Sequence, residues 1–309
     1  MKYFFNISLL ILTILLWGGC FGSSSFTPPS WFANNSKDNS VLVGFGSAKT
    51  LDTAKANALN DIIAQINVSV QSQLNISTQR ENTTINHRSS NDIWIDSSSI
   101  ELNSVQYTKS ALENNLYYDK AEIPKASLIR QFQKSFNDEF NMLNAGKIGQ
   151  CQTLSAKEYV TLSQSLEKLQ SYALYLNVLK QSTKSLTKFE NLLAQNSPLP
   201  PAKLLINSNL RNSIAENIIE NDLLEEYGHF YAINAKAQNT LKNDVQISVN
   251  GNEVKVLITL TILDCMNNPS LSTSATYTHR ASKQEEALRF ASKRVSVQLY
   301  KKIQEWIQH

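Results

Sequence analysis

Residues able to carry chemistry are scarce in this sequence. Its 309 residues include 3 cysteines and 4 histidines. HExxH is absent, so a zincin is unsupported. GxSxG is absent, so a serine-hydrolase elbow is unsupported. No CxxC pair occurs and no histidine lies near a cysteine, which argues against a zinc site. Glycine is sparse too, with 9 in all. Gly44-x-Gly46 begins like a dinucleotide fingerprint, but Lys49 stands where the third glycine is needed for helix and strand to pack closely. Those two glycines are expected to make a tight strand-to-helix turn. Charge of one sign is not concentrated: 29 Lys and Arg intermingle with 26 Asp and Glu. A nucleic-acid surface would gather the basic residues on one face. Adjacent acids at Asp138-Glu139, Glu225-Glu226 and Glu285-Glu286 point in different directions on a helix and read as solvated faces. No cofactor and no small-molecule substrate is expected.

The one long apolar run is Ile7 to Trp17, preceded by Lys2 and followed by Gly18-Gly19-Cys20. A spanning helix needs about 20 apolar residues. A basic start, a short apolar core and small residues before a break are the parts of a secretory signal, expected over residues 1–19. The placement of Cys20 resembles the bacterial lipobox, whose cysteine is acylated and becomes the new N-terminus. Trp17 stands where that motif usually has Leu. The resemblance implies a membrane-held lipoprotein. Phe21, rather than Asp, after the cysteine implies the outer membrane, with the folded part on its periplasmic face. Loss of residues 1–19 would remove Lys2 alone and leave a net charge of about +2. Residues 20–29 carry Ser, Thr and Pro with little to bury and read as a tether.

Residues 30–145 read as a small α+β domain. Val41 to Gly46 suggests a short buried strand. Leu51, Ala54, Ala58, Ile62 and Ile66 recur at helical spacing, with Thr50 as a cap. Ile66, Val68, Val70, Leu74 and Ile76 alternate with polar residues, which predicts a half-buried strand. Arg80 to Ser99 is a polar insert. Val105 to Leu112 and Leu116 to Ile123 flank Glu113-Asn114-Asn115 as a hairpin. Leu128, Phe132, Phe136, Phe140 and Leu143 predict a helix over 126–143.

The series Pro29-Ser30-Trp31, Val43-Gly44-Phe45-Gly46, Ala54-x-Ala56-x-Ala58, Ile66-Asn67-Val68-Ser69-Val70 and Leu116-Tyr117-Tyr118 resembles the LPP-20 (lipoprotein-20) family over about residues 29–145. That family comprises bacterial envelope lipoproteins, including flagellar basal-disk proteins.

The remainder reads as a helical hairpin over 150–225 and a C-terminal α+β domain over 226–309. Ser155 to Asn196 predicts one long helix. Leu204 to Leu224 predicts its partner after the break at Pro198-Leu199-Pro200-Pro201. Tyr227 to Ala237 suggests a strand, and Val245 to Val249 leads into an Asn250-Gly251 turn. Val254 to Ile262 alternates cleanly, Leu271 to Thr278 adds a strand, and Lys283 to Trp306 is a helix. The fold class is therefore α+β, ending in a β-β-β-α unit. Cys151 and Cys265 could form a disulfide in an oxidising periplasm or remain two buried thiols. Cys265 with His279 is a conceivable catalytic pair, whereas His87 and His229 read as surface residues. The leading expectation is a non-enzymatic assembly or structural lipoprotein, anchored through Cys20 and partnered by the membrane and by proteins or copies of itself. A ligand- or peptidoglycan-binding module is the alternative, and a cysteine-dependent enzyme a third.

Overall fold

The computed structural model describes residues 27–34, 38–80, 102–146, 148, 150–209 and 213–309. The chain divides into two units, one ending at Leu128 and the other beginning at Ile129. Both combine helices with a β-sheet, as the α+β expectation requires.

The first unit holds β1 (Val41–Ala48), α1 (Leu51–Arg80), β2 (Gln106–Glu113) and β3 (Leu116–Pro124). Its sheet has the order β1-β3-β2, antiparallel throughout. Asn114 and Asn115 both take positive φ, 52° and 61°, the conformation that a two-residue hairpin loop matching strand twist demands. The helix α1 packs on β1 and β3.

The strand expected at 66–76 is instead a continuation of α1. Ala54, Ala58, Ile62, Ile66 and Val70 form one buried stripe at steps of four, whereas Val68 is 63% exposed. The apolar alternation satisfies both periods over a few residues; the stripe already begun at Ala54 decides in favour of the helix. The insert from Glu81 to Ser99 lies outside the described residues.

In the second unit, α2 (Lys125–Ala145, its first residues in the first unit) precedes α3 (Ala156–Val178) and α4 (Thr187–Gln195). Phe132 stacks on Tyr175 at 5.1 Å, and Phe140 meets Phe189 edge-on at 5.7 Å. The single helix expected over 155–196 is broken after Val178, where Lys180 takes φ 60°. The expected helix over 204–224 also divides. Its start is β4 (Pro201–Ser208), and α5 (Ser213–Tyr227) follows. Leu204 and Ile206 pack on the core while Leu205 is 44% exposed, an alternation hidden in a short apolar run. The second arm of the expected hairpin is therefore part sheet.

Then come β5 (Ala232–Ile233), β6 (Asn239–Asn250), β7 (Glu253–Leu263), β8 (Pro269–Arg280) and α6 (Gln284–Gln308). Of the strand expected over 227–237, only Ala232 and Ile233 are extended, since α5 runs on to Tyr227. The sheet order is β5-β4-β6-β7-β8, with β4 parallel to both neighbours and the rest antiparallel. The turn between β6 and β7 is Gly251-Asn252, one residue later than expected, with Gly251 at φ 60°. Leu241, Val245, Val256, Ile258 and Leu260 bury against Ala287, Ala291, Val295 and Leu299 of α6. The expected β-β-β-α order is thus β6-β7-β8-α6.

Candidate functional site

The sheet of the first unit gathers the separated sequence motifs. On one face, α1 descends onto β1 at its two glycines. A Cβ built on Gly44 would lie 2.1 Å from the carbonyl oxygen of Ala58, and one on Gly46 would lie 2.1 Å from that of Ala54. The pair thus serves close helix-on-strand packing rather than the turn expected of it. The Ala-rich stretch has the same cause, since small residues let the helix backbone approach. On the other side, Phe32 sits edge-on to Tyr118 at 4.9 Å and to Phe45 at 5.6 Å, and Trp31 is edge-on to Phe32 at 6.1 Å. Pro29 is buried, and its carbonyl accepts from the Phe32 N–H at 2.8 Å. The segment 29–32 is thereby built into the fold.

A polar ladder closes one edge of this sheet. Gln65 Nε2 donates to Val43 O at 2.8 Å, Phe45 N donates to Asp61 Oδ2 at 2.9 Å, and Asn57 Nδ2 donates to Ser47 O at 3.0 Å. Side chains four apart on α1 thus take backbone groups two apart on β1. In an antiparallel edge strand alternate residues turn both N–H and C=O away from the partner strand; here one of the two groups on each of Val43, Phe45 and Ser47 is taken.

Asp119 of β3 is fully buried. Its Oδ2 accepts from Ser110 Oγ at 2.6 Å, while Oδ1 has no hydrogen-bond partner among the described residues. Lys55 Nζ lies 5.3 Å from the Tyr107 ring centroid. Burial pushes the Tyr107 hydroxyl above its usual range, and the Asp119 charge adds to the shift.

A second constellation lies in the second unit. Cys151 and Cys265 are bonded, with Cα atoms 6.0 Å apart. The segment after Cys151 is gripped by buried side chains. Asn196 Oδ1 accepts from Leu154 N at 2.8 Å, and its Nδ2 donates to Gln152 O and Leu192 O at 2.9 and 2.8 Å. Asn239 Nδ2 donates to Leu154 O at 2.7 Å, and Ala156 N donates to Tyr231 Oη at 3.2 Å. Burial raises the Tyr231 hydroxyl far above its usual range. Ser155 and Glu158 form a reciprocal capping box at the start of α3. These groups clamp a strap of backbone and offer no free nucleophile.

Elsewhere, Lys293 of α6 bridges Glu225 at 2.8 Å and Glu226 at 2.9 Å, and Ser292 donates to Asp222. Burial raises the Asp222 carboxyl above its usual range, against the opposing Ser292 bond and Lys293 charge.

The conceivable Cys265–His279 pair is not assembled. Cys265 follows the end of β7, whereas His279 pairs with Val254 near its start and stacks on Phe290 at 4.1 Å. His229 lies edge-on to Tyr300 at 5.5 Å. Cys20 and His87 lie outside the described residues. Among those described, no group of three or more His, Cys, Asp or Glu is placed to hold a metal, and no helix is long and apolar enough to cross a membrane.

Phe32, Asp119 and the α1 ladder were not singled out by sequence. A signal existed for two of them. Ser110 and Asp119 are equidistant from the Asn114-Asn115 turn, which forces them opposite one another, and Asn57, Asp61 and Gln65 recur every four residues.

Residues 29–123 match the family model described as LPP20 lipoprotein. No curated protein matches the chain. Among solved structures, the secreted protein HP1454 from the human pathogen Helicobacter pylori is similar in fold. It is 20% identical, with 84% of this chain and 96% of that chain covered and a TM-score of 0.54.

Proposed function

With an LPP20 lipoprotein domain in residues 29–123 as the premise, we propose that this chain is an outer-membrane lipoprotein, acylated at Cys20, that acts without catalysis as an assembly component of the periplasmic envelope. The observation that carries the reading is the family match, which begins at Pro29, the residue where the Ser- and Pro-containing tether ends and the fold takes hold. Nine residues lead from Cys20 to Pro29. At roughly 3.3–3.6 Å each, they reach about 30 Å at full extension. A lipid at Cys20 would therefore hold the first unit close to the bilayer. Phe21 directs the sorting outward, and the built-in Pro29–Phe32 segment gives the tether a fixed point of departure. The bonded Cys151 and Cys265 suit an oxidising compartment. A flagellar association is the finer form of this reading, carried by family resemblance alone.

The test is the Cys20→Ala variant, followed by separation of inner membrane, outer membrane and soluble fractions. The wild type is expected in the outer membrane and the variant outside it. A variant that still fractionates with the outer membrane overturns lipid anchoring.

A further inference from the structure

The two edges of the first unit's sheet are treated differently. Along β1, the Val43 carbonyl, the Phe45 N–H and the Ser47 carbonyl are taken by Gln65, Asp61 and Asn57. Along β2, the other edge in the order β1-β3-β2, no side chain among the described residues does this. A hairpin closed at Glu113 and Leu116 points alternate residues outward. Ser110 and Leu112 therefore present their N–H and C=O groups to the open side, and Leu112 is 58% exposed. The register shift between Tyr107 and Lys109 ends the regular stretch, leaving Lys109 to Glu113 as an uninterrupted edge.

That stretch, Lys109-Ser110-Ala111-Leu112-Glu113, is complementary to itself. Placed antiparallel about a two-fold axis at Ala111, Ser110 of one copy faces Leu112 of the other, so the outward backbone groups meet as hydrogen-bonded pairs. Lys109 then faces Glu113 twice over, on the opposite side of the strand from the two Leu112 side chains, which become diagonal neighbours. Neither Lys109 nor Glu113 has an ion-pair partner among the described residues. We infer that two copies of this chain pair through β2 in this register, joining their sheets across a two-fold axis. This rests on the assembly reading above and names its partner and surface. With one outward backbone group of each of Val43, Phe45 and Ser47 taken by an α1 side chain on both outer edges, the contact closes as a dimer instead of growing into a fibre. The edge is short, so the pair draws on the raised local concentration that a shared membrane supplies.

The test uses the full chain in isolated envelopes. Directly opposed residues at a non-hydrogen-bonded site lie about 4.5 Å apart at Cα, within disulfide range. Oxidation of Ala111→Cys should give a species of doubled mass, and Thr108→Cys at the register shift should not. In detergent, Lys109→Glu should weaken the dimer on the order of tenfold, by setting like charges opposite each other twice. The double variant K109E/E113K should restore it. An oligomer that persists without the Ala111→Cys cross-link overturns this interface and leaves the assembly reading standing. A monomer in both envelopes and detergent overturns both.

Discussion

The two units solve the same problem, holding a sheet against helices, by different means. The first relies on backbone proximity. It has no disulfide among its described residues, and α1 meets β1 where two glycines leave room. The second relies on side-chain volume and cross-links. A broad apolar layer joins its sheet to α6, and a disulfide with two buried asparagines binds the strap before α3. The first unit should therefore be sensitive to single added atoms. The second should be sensitive to lost connections.

That contrast can be broken at its strongest points first. The bond between Cys151 and Cys265 spans 114 residues. By loop-closure entropy such a constraint stabilises by about 5 kcal/mol. Replacing both cysteines by Ser should lower the unfolding free energy of the second unit by about that amount, read by denaturant titration. An unchanged midpoint under non-reducing conditions would remove the disulfide from the account. Next, Gly46→Ala sets a Cβ about 2.1 Å from a helix carbonyl. It should cost about 3 kcal/mol and speed proteolysis within residues 41–124. Wild-type resistance there would show that the contact is slack. The smallest effect has the opposite sign. Tyr175 is buried with its hydroxyl unpartnered among the described residues, and burial pushes that hydroxyl up to about 12. Tyr175→Phe should keep the stacking on Phe132 and raise stability by about 1 kcal/mol. A loss would reveal a partner for the hydroxyl.

Each unit has an element that could be read in the sequence and one that could not. The β6–β7 ladder was legible because its alternation is long and unbroken. The β2–β3 hairpin was legible because two asparagines accept positive φ. The extension of α1 past Ile66 was not, since apolar residues two apart among Asn, Ser and Gln satisfy a strand locally. Only contact with the sheet selects Ile66 and Val70 over Val68. Likewise β4 hid in a short apolar run whose alternation shows only against the core. Cys20, whose neighbours carry the expectation of acylation, lies outside the described residues. The pairing of Asp119 with Ser110 could be read from the turn, but its burial could not. The packing role of Gly44 and Gly46 could not be separated from a turn until α1 was placed above them.

The central claim, that this is a lipid-anchored envelope protein, turns on one atom, the sulfur of Cys20. The direct measurement is mass spectrometry of the N-terminal peptide of the protein extracted from membranes. A single acyl chain binds a bilayer only marginally, so the proposed anchor requires a second acyl chain. The expected result is a peptide beginning at Cys20 and carrying the added mass of at least two acyl chains. A peptide that begins at Met1, or one that begins at Cys20 without added mass, would contradict it.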